Sequence, residues 1–325
     1  MADVKRTARS PGDELQVHRC RVEAADHGRR LDRLIAALTG WSRKAAQVAI
    51  ADGAVYVDGK RCRVQAQQVA TGAELVVQPA SPDRTHIDGG VLRIVAADPA
   101  LLVVAKPAGL PSQPPPRGGD ALSLRVAAWL AANGGGGRPY VGEVHRLDRD
   151  ASGLVVYGRN RAATGQLAAA FREHRARRDY LALVRTAVPV PPMTIEEPIA
   201  EEWPGRMAVA VTGAPACSHV RPLCFDAAKR IALVGVSLET GRTHQVRVHL
   251  AWAVGPIIGD QLYGDPHPPS GRIGLHAARL SLPASTEAPS GTWQLDPDED
   301  FWRLAAGASV NPVDGWLAAF DADGS

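Results

Sequence analysis

Residues 79–90 read Pro-Ala-Ser-Pro-Asp-Arg-Thr-His-Ile-Asp-Gly-Gly. The run has no hydrophobic period, its prolines lack amide donors, and its glycines lack conformational restraint, so neither a helix nor a central strand can pass through it. It has the composition of a linker, and it divides the chain into two units of unequal size. The smaller spans 20–78 and the larger 91–311, with 1–19 and 312–325 read as tails. At 325 residues and 45% hydrophobic content, the chain has enough apolar material for a sizeable core beyond the small unit.

In the smaller unit Leu31, Leu34, Ile35 and Leu38 recur at helical spacing, Gly40 ends the run, and Ser42 is placed to cap a second helix through Ile50. Val55 and Val57 alternate with Tyr56 between two Asp-Gly turns, the pattern of a short strand. The segment is crowded with cations: Arg29, Arg30, Arg33, Arg43, Lys44, Lys60, Arg61 and Arg63. The net charge is only +3, so bulk charge names no polyanionic partner, and this local clustering carries that reading instead.

The larger unit shows strand patterns at Leu92–Val95, Leu101–Val104, Tyr180–Val184 and Ile231–Leu238. Helical patterns cover Leu122–Ala132 and Arg161–His174, and a further helix begins near Thr243. Pro114–Pro116 and Gly134–Gly137 read as loops. Strands and helices do not alternate as a doubly wound parallel sheet requires, so the fold class expected is α+β, with a mixed, largely antiparallel central sheet and flanking helices.

No apolar run approaches the roughly 20 residues that span a bilayer, and no hydrophobic leader follows Met1; the expectation is a cytoplasmic chain without membrane contact. Cys20, Cys62, Cys217 and Cys224 form no Cys-x-x-Cys pair and read as free thiols. Cys217, His219 and Cys224 have an unusual spacing for metal ligands and no obvious fourth partner nearby, so no metal site is assigned.

The segment with most chemistry is Gly142–Leu154, in which Asp148 stands between Arg146 and Arg149, ahead of a Ser152-Gly153 turn into the apolar run Leu154–Tyr157. Cationic neighbours keep a carboxylate ionised, as an attacking or proton-accepting group must be. A turn aspartate in a surface ion pair would have the same local sequence.

Around Asp148 the chain reads His145-Arg146-Leu147-Asp148-Arg149-Asp150-Ala151-Ser152-Gly153. This resembles the signature His-Arg-Leu-Asp-x-x-Thr-Ser-Gly of the RluA-type RNA pseudouridine synthases, with Ala151 in place of the usual threonine. Three further segments resemble that family in the right order: Leu101–Leu110 with its Lys106-Pro107 turn, Arg178–Val184, and Gly241–Leu250 followed by Gly259-Asp260 and Tyr263-Gly264. The smaller unit is similar to an S4-type RNA-binding module, with Arg30, Arg33, Arg43, Lys44 and Lys60 as its RNA contacts.

The resemblance implies isomerisation of uridine to pseudouridine in structured RNA, ribosomal or transfer, by a monomer with no obligate protein partner and no metal or organic cofactor. It implies Asp148 as the catalytic aspartate, Arg247 as its cationic partner, and Tyr180 as the ring that stacks on the target uracil. Arg146 is similar to the family arginine that fills the space the extruded base leaves. His145, His244 and Val246 complete the expected substrate-binding set, although the histidines also suit hydrogen-bonded structural roles and Val246 shares an inward helix face with Leu250. Two other readings stand beside this one: a non-catalytic RNA-binding or ribosome-assembly protein on the same fold, and a metal-dependent hydrolase using His145, Asp148, His244 and His249.

Overall fold

The computed structural model describes residues 18–51, 54–62, 64–77, 92–115, 119–133, 139–265, 271–310 and 320, without the side chains of 44, 45, 48, 51, 60 and 61. The chain divides into two compact units between His86 and Ile87. That division falls within 79–90, which, like Pro116 and Gly134–Gly137, lies outside the described residues.

The first unit contains β1 (His18–Arg21), α1 (Leu31–Thr39), α2 (Arg43–Ala51), β2 (Val55–Val57), β3 (Lys60–Arg61) and β4 (Glu74–Val77). Its sheet runs β1-β4-β2-β3. β1 pairs with β4 from His18 onward, so the first unit begins inside the stretch read as a tail. α1 ends where Gly40 adopts φ +69°, a left-handed cap that a residue without a Cβ enters at little cost. Asp58 and Gly59 both have positive φ, which lets two residues turn β2 directly into β3. Leu31, Leu34 and Ile35 of α1 pack with Ala46, Ala49 and Ile50 of α2 against Val55, Leu75 and Val77.

The second unit opens with β5 (Arg93–Ala97), β6 (Leu101–Lys106), α3 (Leu122–Asn133), β7 (Gly142–Glu143), β8 (Ser152–Gly158), α4 (Arg161–Arg172) and β9 (Arg177–Arg185). It continues with β10 (Met193–Ile195), β11 (Ile199–Trp203), β12 (Arg206–Val209), β13 (Ser218–Asp226) and β14 (Ile231–Leu238). The last elements are α5 (Gln245–Ala253), β15 (Leu275–Leu282), β16 (Gly291–Gln294) and α6 (Glu299–Arg303). The main sheet runs β10-β13-β14-β9-β15-β8-β6-β5, with β7 on β8 and β16 on β15, while β11 and β12 form a separate hairpin. Among the described pairings only β8 with β15 is parallel, so the sheet is mixed and largely antiparallel, as the sequence predicts.

The central strands are mostly apolar and buried along nearly their whole length because both faces are covered. Alternate residues feed different layers. Leu102, Val104, Val155, Tyr157, Ala182 and Val184 meet Leu122 and Val126 of α3 and Val246 and Leu250 of α5. On the opposite face Leu101, Val103, Leu154 and Val156 meet Ala163, Leu167 and Ala170 of α4, and Leu181 and Leu183 meet Phe301 of α6. Phe320, in the segment read as a C-terminal tail, is buried with the last group, since its ring sits over the Cβ-less Gly235. No helix among the described residues is long and apolar enough to cross a membrane.

Candidate active site

Asp148 lies in the loop between β7 and β8, and the loop is fixed by contacts distant in sequence. Ser112 Oγ donates to the Leu147 carbonyl at 2.7 Å and accepts from its amide at 3.1 Å. Lys106 Nζ donates to the carbonyls of Arg149, Pro107 and Leu110 at 2.8, 2.9 and 2.7 Å, so all three ammonium hydrogens are matched. Burial pulls Lys106 down to about 7, against the opposing pull of Asp150 and Asp148. Downstream, Ser152 Oγ meets His276 Nδ1 at 2.8 Å, and burial brings that histidine down to about 4, keeping it neutral.

Ser152 and Gly153 are not the turn that the sequence predicts; they open β8, and the chain reverses at Arg149-Asp150 instead. Gly153 has φ +123°, and a Cβ there would stand 2.3 Å from the Ala277 carbonyl, so the parallel approach of β15 requires glycine. The flanking arginines are likewise not the partners of Asp148. Arg149 bonds to Asp150 at 3.0 Å, and the exposed Arg146 bonds to Thr243 Oγ1 at 3.2 Å. In an irregular loop, adjacency along the chain does not by itself decide which side chains pair: Arg149 turns to Asp150 and not to Asp148.

The cation at Asp148 comes from α5. Arg247 Nη1 donates to Asp148 Oδ2 at 3.0 Å, while its Nε and Nη2 donate to the two oxygens of Asp260 at 2.6 and 2.8 Å. One guanidinium thus bridges two carboxylates, and the Asp260 fork fixes its plane. Burial disfavours the Asp148 anion, but Arg247, His244 and Lys106 together outweigh it and hold the carboxyl below its ordinary range. Asp148 keeps 24% of its side chain exposed, against 1% for Asp260. The anchored acid is the buried one, and the presented acid is Asp148.

α5 starts at Gln245 rather than near Thr243, because His244 is left-handed at φ +57°. That conformation places His244 Nε2 3.8 Å from Asp148 Oδ1. The Tyr263 hydroxyl accepts from the Met207 amide at 3.0 Å and lies 2.8 Å from His244 Nδ1. Its own hydrogen is therefore available for Nδ1, an arrangement that puts the ring proton of a neutral His244 on Nε2, facing the aspartate. Tyr263 also lies under Arg247, with the guanidinium carbon 5.0 Å from the ring centre.

Tyr180 is buried among Leu147, Ala151, Val246 and Ala277, and burial raises its hydroxyl further above the ordinary phenol range. Val246 is buried in the same group. His145 Nε2 accepts from the Val156 amide at 3.0 Å, and its ring stacks on Phe171. Burial, with Arg178 nearby, brings His145 down to about 3; it stays uncharged and lacks the charge that a phosphate contact would use. His249 has both nitrogens committed, to Ser218 Oγ and the Glu197 carbonyl, each at 2.9 Å. Of the four residues a metal-dependent hydrolase would need, only Asp148 and His244 come together.

In the first unit Asp32 is fully buried and receives Arg30 through two bonds of 3.1 Å, Arg43 at 3.0 Å and Gln47 at 2.9 Å. The Arg30 bonds hold it far below the ordinary carboxylate range. Arg33 is exposed, and the side chains of Lys44 and Lys60 lie outside the described residues. Sequence reasoning did not assign roles to Lys106, Ser112, Asp260 or Tyr263. All but Ser112 stand inside the quoted motifs, where a polar residue next to an apolar run was the available signal.

A family model described as RNA pseudouridylate synthase matches residues 100–252, and an S4 domain model matches 29–75. An uncharacterized RNA pseudouridine synthase of Chloroflexus aurantiacus is 39% identical over 82% of this chain and 84% of its own length. Ribosomal large subunit pseudouridine synthase D of Neisseria meningitidis is 32% identical over 91% of this chain and 85% of its own. Human RNA pseudouridylate synthase domain containing 4 has the same fold, with a TM-score of 0.55 at 23% identity over 65% of this chain and 91% of that one. The chain therefore belongs to the RluA-type RNA pseudouridine synthases, enzymes that isomerise uridine in RNA, and carries an S4 domain ahead of its synthase domain.

Proposed function

We propose that Asp148 is the catalytic residue of this isomerisation and that the substrate is RNA of the large ribosomal subunit. The observation that carries the first part is the shared guanidinium of Arg247, which ties one Asp148 oxygen at 3.0 Å and is itself locked by Asp260. The other oxygen remains in a partly open position beside His244. The second part rests on relatives that carry the name ribosomal large subunit pseudouridine synthase D.

Uridine becomes pseudouridine when the C1′–N1 bond breaks, the uracil turns, a C1′–C5 bond forms, the C5 proton leaves and N1 takes up a proton. A fixed, ionised carboxylate serves attack at C1′, removal of a C2′ proton or addition to the ring. In each case RNA docking removes water from Asp148, and the Arg247 charge offsets the cost of keeping it ionised. Tyr180, a phenol pushed above its usual range, is unsuited as a base at neutral pH and offers a flat ring on which the uracil stacks. Extruding the base costs a few kcal/mol, and the exposed Arg146 guanidinium suits the vacated stack. Arg30, Arg33, Arg43, Lys44 and Lys60 add phosphate contacts from the S4 domain.

The test is a map of pseudouridines across total RNA from cells with the gene, without it, and with an Asp148→Asn copy. The expected result is a position in large-subunit RNA that disappears with the gene and does not return with the variant. A loss confined to transfer RNA would overturn the substrate, and restoration by the variant would overturn the role of Asp148.

A further inference from the structure

A second group of chemically active side chains stands at one end of the main sheet, sharing no residue with the Asp148 site. Ser218 on β13 pairs with Leu238 on β14, and one step further the Glu239 amide donates to the Cys217 carbonyl at 3.3 Å. Cys217 therefore lies across the ladder from Glu239, and His219, two positions along, shares its face. Cys217 Sγ is 3.8 Å from His219 Nε2, which is 2.7 Å from Glu239 Oε1. The three potential ligand atoms all lie within 4.8 Å of one another.

The surroundings hold this arrangement in place. The Cys217 amide donates to Thr240 Oγ1 at 3.0 Å, and its carbonyl accepts from Gln245 Nε2 at 2.9 Å. Thr194 Oγ1 on β10 lies 3.0 Å from His219 Nδ1, which orients the ring and leaves Nε2 toward the thiol and the carboxylate. Metal-bound histidines are commonly oriented in this way through their other nitrogen. Burial first, and then Glu239 and Glu196, push the Cys217 thiol up to about 11; a divalent cation would oppose the electrostatic part of that shift.

We propose that Cys217, His219 and Glu239 bind one Zn²⁺ ion through Sγ, Nε2 and the carboxylate, with a solvent molecule as the fourth ligand. Ordinary Zn–S and Zn–N lengths in a tetrahedral site put sulfur and nitrogen about 3.5 Å apart, close to the separation present. The ion replaces the His219–Glu239 hydrogen bond, and the exposed Glu239 side chain has room to withdraw the few tenths of an ångström this needs. Binding releases the thiol proton to solvent and involves no change of oxidation state. A mixed sulfur, nitrogen and oxygen set suits Zn²⁺ or Co²⁺ and not the hard cations Mg²⁺ and Ca²⁺. The bound ion pins the β13 and β14 ends together and, through the Cys217 carbonyl and Gln245, steadies the start of α5.

The test titrates Co²⁺ into the untagged, reduced full chain after treatment with a chelator and its removal. The expected result is one equivalent per chain, a sulfur-to-cobalt charge-transfer band in the near ultraviolet, and displacement of the cobalt by Zn²⁺. Cys217→Ser is expected to lose the band with far-ultraviolet circular dichroism unchanged, while Cys224→Ser keeps it. Glu239→Gln, altered only at an exposed side chain, is expected to weaken binding by ~10-fold or more. Absence of the band in the native chain, its persistence in Cys217→Ser, or displacement by Mg²⁺ as effective as by Zn²⁺ would each overturn the site.

Discussion

The two units each join aspartate to arginine, but with opposite partners buried. In the S4 domain Asp32 has no exposed surface, while the arginines it holds, Arg30 and Arg43, keep 39% and 49% of their side chains exposed. In the synthase domain Arg247 is 10% exposed and the acid it holds, Asp148, is 24% exposed. Whichever member is buried acts as the anchor, and its partner is what the surface offers. The S4 domain thus presents cations, suited to phosphate, and the synthase domain presents a carboxylate, suited to the chemistry at the sugar.

The largest effect expected from breaking this contrast is at Asp148. Asp148→Asn keeps the shape and the Arg247 contact but removes the charge, so the single-turnover rate on RNA should fall by at least ~10³-fold while RNA affinity stays within a few-fold. A rate within tenfold of the native enzyme would show that the presented acid is not the reacting group.

Arg247→Met comes next, because it leaves Asp148 and the buried Asp260 without their shared cation. Activity should be lost, and unfolding in denaturant should report a stability lower by about 3–5 kcal/mol. Unchanged stability would mean that the bridge is not the anchor. Lys106→Met removes the donor from three carbonyls beneath the same loop. A loss of about 2–3 kcal/mol is expected, with the rate falling as the loop loosens; a native rate and midpoint would separate Lys106 from the site.

The smallest effects belong to the S4 domain. Asp32→Asn should lower RNA affinity without changing the rate at saturating RNA, since it frees Arg30 and Arg43 from their fixed positions. Arg33→Ala should weaken binding modestly and reduce the salt slope by about 1. Equal slopes would leave Arg33 without a phosphate contact.

The contrast between the two units also marks where the sequence was legible. Runs such as Leu101–Val104 and Ile231–Leu238 announce strands because nearly every position is buried on one face or the other, and Leu31–Leu38 announces a helix because only one face is. β10 to β12 were not read, being short and only partly buried, so their periodicity is weak. Asp148 and Arg247 were legible through the motifs around them. Their geometry was not: Asp260 reaches Arg247 from 13 positions away, and Ser112 grips Leu147 from 35. The flanking Arg146 and Arg149 drew attention because they are adjacent, yet their side chains turn to Thr243 and Asp150. Arg30 and Arg43 were read as RNA contacts; Arg30 reaches Asp32 from two positions away, while the tie of Arg43 to Asp32 forms only where α2 packs on α1.

The central claim is that Asp148 is offered in its ionised form because a buried arginine holds it so. The acid limb of kcat/KM against pH on a fixed RNA measures this in the free enzyme. A carboxyl held low by its cations stays charged as the pH drops and is protonated only below the ordinary aspartate range of about 3.9. The rate should therefore remain on its plateau through mildly acidic pH and fall only near or below that value. A half-maximal point at or above about 6.5, where a desolvated and unsupported acid or a histidine would titrate, would contradict it.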